Sequence, residues 1–163
     1  MAENSLEVQI GKLLTRGGLT LAAAESCTGG LVSHRITNVP GSSDYFLGGI
    51  VAYSNQTKMA LLGVLRETLD SHGAVSEETV LEMAAGVRQA LRADIGIAVS
   101  GIAGPGGATP NKPVGLVWFG LSAGDASQAR KYIFPGDRLA VKEQSAQAAL
   151  QLVMDYLRSG DRM

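Results

Sequence analysis

The chain has 163 residues, of which 45% are hydrophobic and 18% charged, values typical of a globular protein. Fourteen Lys and Arg residues against fifteen Asp and Glu residues give a formal net charge of −1, so no basic surface indicates binding to nucleic acid or to an anionic membrane. The single cysteine, Cys27, excludes an internal disulfide and a multi-cysteine zinc site.

Hydrophobic periodicity and turn residues predict alternating helices and strands. In chain order these are a helix ending at Gly17-Gly18, a strand over 19–26, a helix over 27–39 with Thr28 at its cap, a strand over 47–54, a short helix around 58–62, a helix from Ser76 to about residue 94, a strand over 94–101, a Gly- and Pro-rich loop over 101–115, a hairpin from segments 113–124 and 129–136, and a helix over 138–157.

This alternation predicts an α/β fold, a single three-layer α/β/α domain spanning residues 1–163, with a mixed sheet because of the late hairpin. The N-terminus lacks the basic start and apolar core of a signal peptide, and no apolar run approaches the ~18 residues of a membrane span. We therefore expect a cytoplasmic protein.

Three glycine-containing turns follow predicted strands: "ESCTGG", "SNQTK" and "SGIAGPGG". In open α/β sheets such turns meet at the carboxyl ends of the strands, where ligands bind. The "TGG" segment lies at a predicted helix N-terminus, a position typical of anion sites, although it is neither a Walker loop nor a dinucleotide fingerprint.

The residue types alone leave the chemistry of this edge open. Cys27 precedes a predicted helix, which would favour a thiolate, but lone cysteines are usually small buried hydrophobes. We expect His34 and His72 to be structural, since neither has a recognisable catalytic partner. Ser42 and Ser43 could cap a turn while Lys58 lies on the surface, or a serine and Lys58 could act as nucleophile and base.

Longer segments carry a family resemblance. The stretch "ESCTGGLVSHRITNVPGSSDYFLGGIVAYSNQTKMALLGV", followed by "GAVSEET", "SGIAGPGGATPNKPVG" and "GDRLAVK", resembles the CinA C-terminal domain family from about residue 5 to residue 157. Its characterised members are nicotinamide-nucleotide amidohydrolases, or NMN deamidases. Larger members carry a preceding molybdopterin-binding-like domain, and this chain resembles the stand-alone form.

The resemblance implies a hydrolase that uses a Ser/Lys dyad without metal or cofactor. Ser43 matches the nucleophile and Lys58 the base, and Ser26 and Tyr53 match further residues of the catalytic site. The positions implied for substrate binding are Thr28, Gly29, Gly30, Ser100, Gly101, Gly104 and Arg138. Ser43 and Lys58 would then have to converge on one pocket, although a predicted strand separates them.

The implied reaction converts nicotinamide mononucleotide (NMN) to nicotinate mononucleotide and ammonia in pyridine nucleotide salvage. Arg138 and backbone N–H groups of "GIAGPGG" or "TGG" would hold the phosphate. The alternative is a non-catalytic nucleotide-binding module of the competence and damage-inducible type. The expected partners are a small-molecule substrate and further copies of the chain in a homo-oligomer, a dimer or larger, with no nucleic acid and no membrane.

Overall fold

Six α-helices and five β-strands lie along residues 2–160, the part of the chain that this computed structural model describes. The helices are α1 Leu6–Gly17, α2 Leu31–Thr37, α3 Asn55–Leu62, α4 Arg66–His72, α5 Glu77–Leu91 and α6 Arg138–Ser159. The strands are β1 Leu21–Glu25, β2 Phe46–Val51, β3 Ile95–Gly101, β4 Leu116–Ala123 and β5 Ala126–Ile133. The outer bounds of the predicted domain, residues 1 and 163, lie outside the described residues.

The five strands form one mixed sheet in the order β2-β1-β3-β4-β5. The first three are parallel, whereas β4 and β5 form the predicted antiparallel hairpin at one side. Helices α1, α2 and α6 cover one face and α3, α4 and α5 the other, each over its own apolar cluster. The predicted three-layer α/β/α architecture with a mixed sheet is confirmed. No helix among the described residues has both the length and the apolar character needed to cross a bilayer.

Strand β1 lies in the middle of the parallel part of the sheet, and all five of its residues are buried. Its sequence, LAAAE, is made of small residues because helices pack on both faces. The connection from β1 to β2 crosses one face through α2, and the connection from β2 to β3 crosses the other through α5. The order therefore reverses between β1 and β3, at the place where open α/β sheets bind ligands.

The ends of several helices confirm the sequence signals. Gly18 ends α1 in the left-handed conformation (φ 63°), and the Ser76 hydroxyl accepts the N–H of Thr79 at the start of α5. Two local predictions were wrong. Thr28 does not cap α2, which begins after Gly30, and residues 66–72, for which no helix was predicted, form α4, which ends at His72.

Strand β2 contains Gly49 at the place where α2 passes close to the sheet. A Cβ atom at Gly49 would overlap the hydroxyl oxygen of Ser33 on α2. The absence of a side chain at this position allows the start of α2 to lie directly against the sheet. The carboxyl ends of β1, β2 and β3 all point to the same side of this layer, which we call the carboxyl edge.

Candidate active site

A cavity of about 260 Å³ lies at the carboxyl edge, where β1 and β3 end. Its wall comes from the turns after β1, β2 and β3 and from the start of α6. The lining residues are Ser26, Cys27, Tyr53, Asn55, Lys58, Ala74, Val75, Ser100, Gly101, Ile102, Ala103, Gly104, Gly106, Gly107 and Arg138. A larger cavity of about 490 Å³, between α1 and the turn after Val39, lies away from these strand ends and includes none of these side chains.

Lys58 and Ser26 meet in the floor of this cavity. Lys58 is only 1% exposed, and its Nζ lies 2.9 Å from Ser26 Oγ. The amine also donates to the carbonyl oxygens of Ala52 (2.9 Å) and Tyr53 (3.4 Å). A serine hydroxyl within hydrogen-bond distance of a buried amine is the geometry of a nucleophile and its base.

The surroundings of this amine shift its protonation equilibrium toward the neutral form. Burial lowers the pKa of Lys58 below its ordinary value, because desolvation penalises the ammonium form, while the nearby Cys27 opposes this shift. Lys58 takes part in no ion pair within residues 2–160. A neutral amine can donate its two N–H groups to the two carbonyls and accept the Ser26 O–H with its lone pair, and the ammonium form would donate to all three oxygens. Both protonation states are therefore satisfied without rearrangement.

The secondary structure fixes both side chains. The Ser54 hydroxyl accepts the N–H of Thr57 (3.1 Å) and caps α3, which places Lys58 in the first turns of that helix. Ser26 follows β1 directly, and its N–H donates to the carbonyl of Val99 on β3 (3.0 Å). The two groups thus approach each other from neighbouring rigid elements.

Cys27 lines the cavity but is not suited to act as the nucleophile. Burial raises the pKa of its thiol to about 12, so the reactive thiolate is scarce at neutral pH. The structure supports the interpretation of this residue as a small buried hydrophobe.

The structure does not bring Ser43 to Lys58, which corrects the expected convergence of these residues. Ser43 is exposed in a single 3-10 turn, Ser42–Asp44, that precedes β2, whereas Lys58 follows β2. A six-residue strand is about 20 Å long, so it carries its two ends to opposite edges of the sheet. Ser26 occupies the position beside Lys58 that the resemblance implied for Ser43.

Thr28, Gly29 and Gly30 also lie outside the Ser26–Lys58 cavity. The Thr28 hydroxyl and the Gly30 N–H donate to the Glu25 carboxylate (2.7 and 3.2 Å), and the Gly29 N–H donates to the Ser26 carbonyl (3.1 Å). These three residues line a separate cavity of about 370 Å³ beside Lys142. The expected anion site at "TGG" is corrected on this ground, because the Glu25 carboxylate and the Ser26 carbonyl already accept its donors.

Arg138 and Tyr53 meet above the mouth of the cavity. The Arg138 guanidinium donates to the Gly104 carbonyl (2.7 Å) and to the Tyr53 hydroxyl (2.9 Å), so it links two sides of the wall. Asp137, the neighbour of Arg138 in the sequence, caps α6 by accepting the N–H of Ala140 (2.9 Å). The carbonyl of Tyr53 accepts a hydrogen bond from Lys58, whereas its side chain is 60% exposed and its hydroxyl accepts one from Arg138.

The loop after β3 forms the remaining wall. The Ser100 hydroxyl donates to the Ala74 carbonyl (2.8 Å), which holds the loop against the segment before α5. Within residues 2–160, the N–H groups of Gly104, Gly106 and Gly107 donate to no oxygen. Free N–H groups beside an arginine form a suitable site for an anion. The predicted cluster of Ser100, Gly101, Gly104 and Arg138 is therefore brought together at one end of the cavity.

Neither histidine lies in the cavity wall. His34 is exposed on α2 beside Asn38, and His72 Nδ1 lies 3.6 Å from the Glu78 carboxylate at the surface. Both positions agree with the structural interpretation of these residues.

Sequence reasoning missed Asn55 in the wall and Glu25 beneath it. Glu25 had a signal that could have identified it, because it is a charged residue at the end of a strand of small apolar residues. A fully buried carboxylate needs hydrogen-bond donors, and the nearest donors along the chain are the N–H groups of the next helix.

Comparison with known proteins identifies the group to which this chain is similar. A model of the CinA C-terminal domain matches residues 3–157. A putative competence-damage inducible protein of Moorella thermoacetica is 53% identical over 157 residues, and a CinA-like protein of Chloroherpeton thalassium is 53% identical over 158. These matches cover 96% and 94% of this chain but 38% of each relative, so the chain spans about two fifths of their length.

Solved structures give the same result for the fold. A competence/damage-inducible protein from Agrobacterium tumefaciens superposes with a TM-score of 0.91 at 38% identity, covering 94% of both chains. The competence damage-inducible protein A from Klebsiella pneumoniae subsp. pneumoniae gives a TM-score of 0.92 at 34% identity, covering 96% of this chain and 97% of that one. On the family match and these identities, the chain belongs to the CinA C-terminal domain family.

Proposed function

We propose that this chain is an amidohydrolase that deamidates NMN to nicotinate mononucleotide and ammonia, with Ser26 as nucleophile and Lys58 as base. The observation that carries the proposal is the 2.9 Å contact between a buried lysine amine and a serine hydroxyl at the switch point of the sheet. The substrate follows from the family resemblance, and the free N–H groups beside Arg138 suit its phosphate.

In the first half of the reaction, the neutral Lys58 amine takes the proton of the Ser26 hydroxyl while the serine oxygen bonds to the carboxamide carbon. The pyridinium ring withdraws electrons from that carbon and makes it open to attack. The Lys58 ammonium then delivers its proton to the departing nitrogen, the C–N bond breaks, and ammonia leaves an ester on Ser26. In the second half, water attacks this ester with Lys58 as base, which releases the nicotinate carboxyl group and restores the serine hydroxyl.

The oxyanion that forms on the carboxamide oxygen needs a hydrogen-bond donor near Ser26. The backbone N–H of Cys27 follows the nucleophile directly and, within residues 2–160, contacts no acceptor oxygen. A serine at a strand-to-helix turn followed by such an N–H is the arrangement of many acyl-transfer enzymes. One donor of this kind contributes about 3 kcal/mol to the stability of the transition state.

A non-catalytic nucleotide-binding module is the second candidate, and the competence and damage names of the relatives are its support. A binding module has no need for an amine held away from water against a hydroxyl. The Ser26–Lys58 contact therefore favours the enzyme.

Ammonia release from NMN tests the proposal with two matched serine variants. We expect Ser26→Ala to lower kcat by at least ~10⁴-fold, because it removes the nucleophile and leaves only the contribution of the surrounding donors. Ser43→Ala changes the same residue type at the opposite edge and should retain wild-type turnover. Wild-type turnover in folded Ser26→Ala, or loss of turnover in Ser43→Ala alone, would contradict the assignment. Binding of NMN without ammonia release would indicate the binding module.

A further inference from the structure

The mechanism above does not use Glu25, although this residue directly precedes Ser26. Its side chain is 0% exposed, and it ends a strand whose other residues are Leu and Ala. An isolated carboxylate in such surroundings is costly unless its oxygens receive several hydrogen bonds. The position of this carboxylate therefore needs a physical reason.

The Glu25 carboxylate accepts five hydrogen bonds from the start of α2 and the turn before it. The donors to Oε1 are Thr28 Oγ1 (2.7 Å), Gly30 N (3.2 Å) and Val32 N (2.9 Å), and the donors to Oε2 are Ser33 N (3.0 Å) and Ser33 Oγ (2.7 Å). No ion pair among the described residues includes Glu25. The carboxylate thus takes the place of the missing cap of α2, whose cap residue Gly30 has no side chain.

These bonds hold the chain on both sides of Ser26. On the amino side, Glu25 is fixed in β1 between two neighbouring strands. On the carboxyl side, its carboxylate holds Thr28 and the first residues of α2, while the Ser26 carbonyl accepts the Gly29 N–H (3.1 Å). The turn that contains the nucleophile therefore has little freedom to move away from Lys58.

We propose that Glu25 is the positioning residue of the nucleophile turn: its buried carboxylate fixes the path from β1 into α2, and so holds Ser26 Oγ against the Lys58 amine. This inference rests on the proposed function of Ser26. Glu25 touches neither the substrate nor the reacting atoms and acts through the turn.

The same arrangement keeps a negative charge away from the base. A carboxylate paired with Lys58 would stabilise the ammonium form and remove the lone pair that accepts the Ser26 proton. Instead, the hydroxyl and N–H dipoles at the start of α2 satisfy Glu25. The negative charge of the turn and the neutral base can therefore coexist next to Ser26.

Glu25→Gln is the direct test, because it keeps the size of the side chain but leaves one acceptor oxygen for five donors. If its NH₂ group replaces Oε2, it faces the Ser33 N–H, and the turn must shift. We expect kcat for NMN deamidation to fall about 100-fold, the loss caused by a displacement near 1 Å, with KM changed by less than about threefold. Amide exchange at Ser33 should become faster. Glu77→Gln, an exposed glutamate at the start of α5, is the matched control and should retain both values.

Ser33→Ala is a milder second variant that removes one donor and keeps the carboxylate. It should give a kcat between those of wild type and Glu25→Gln. A folded Glu25→Gln protein with wild-type kcat would overturn the positioning role. A fall in activity equal to the unfolded fraction in a denaturation curve would also overturn it, because the folded molecules would then be fully active. If Glu25→Gln does not fold, an unchanged kcat in folded Ser33→Ala overturns it. Retained turnover in Ser26→Ala would refute the proposed function instead. The amide exchange rate at Ser33 reports on the hydrogen bonds to Glu25 and does not depend on turnover.

Discussion

Replacing Lys58 with methionine tests whether the buried amine is neutral in the native protein. The methionine side chain is similar in length to the lysine side chain and suits an apolar environment, but it has no titratable group. Lys58 is 1% exposed, and burial lowers its pKa from the ordinary 10.5. Lys58→Met should therefore abolish NMN deamidation and also change the dependence of stability on pH.

The sign of this change follows from proton linkage. Between the lowered native pKa of Lys58 and 10.5, the unfolded state carries one more proton than the native state. The free energy of unfolding of the wild type therefore rises with pH in that window, with a slope from this one group of up to about 1.4 kcal/mol per pH unit. Below the native pKa the slope vanishes, because both states are protonated. The methionine variant lacks this contribution, so its stability relative to wild type should be greatest at the low end of the window.

Denaturant unfolding of both proteins between about pH 7 and pH 10 measures this difference directly. Other titrating groups are common to both proteins and cancel in the comparison. Lys12→Met, which removes an exposed lysine from α1, controls for the loss of one positive charge. Parallel stability curves for wild type and Lys58→Met would refute the reasoning, because they would show that Lys58 is equally protonated in the native and unfolded states.

Two further substitutions test the cavity wall. Arg138→Ala should raise the KM for NMN about 10- to 100-fold, the usual loss for a charged hydrogen bond, but should change the KM for nicotinamide riboside little, because that compound has no phosphate. Equal losses for both substrates in steady-state assays would show that the arginine only supports Tyr53 and Gly104. Cys27→Ala should retain the wild-type turnover. In the wild-type protein, burial raises the pKa of the Cys27 thiol to about 12, so this thiol should resist alkylation at mildly alkaline pH and react only after unfolding. Rapid alkylation of the native protein with loss of activity would contradict this interpretation.

The sequence predicted most of the fold because its hydrophobic patterns agree with its turn residues. The strand of small residues before Ser26, the helix opening at Ser76 and the late hairpin all appear where these signals predict them. Helix α4 was missed because its seven residues are too few to establish a period. Short elements depend on tertiary packing, which no local pattern contains.

The site was predicted less completely, for a reason that lies in strand geometry. The glycine-containing turns after the strands predicted that a site lies at the carboxyl edge, and the family resemblance assigned Lys58 and Arg138 to it. Ser43 was assigned to the same pocket through resemblance, although an extended strand must separate its two ends. The partner of Lys58 is Ser26, which directly follows β1 and lies 32 positions away in the sequence. This contact depends on the order of the strands, which the sequence pattern does not specify.

The contact between Gly49 and Ser33 restricts how this protein can change through evolution. A side chain at position 49 fits only if the Ser33 hydroxyl is lost or rotates away, because the two would occupy the same space. Losing that hydroxyl removes one of the five hydrogen bonds that Glu25 accepts. A substitution at position 49 on the outer strand therefore affects the turn of the nucleophile through Ser33 and Glu25, although it lies outside the cavity wall. The effects of substitutions at positions 25, 33 and 49 should consequently be coupled, and a library that randomises the three jointly should recover active combinations that single substitutions do not.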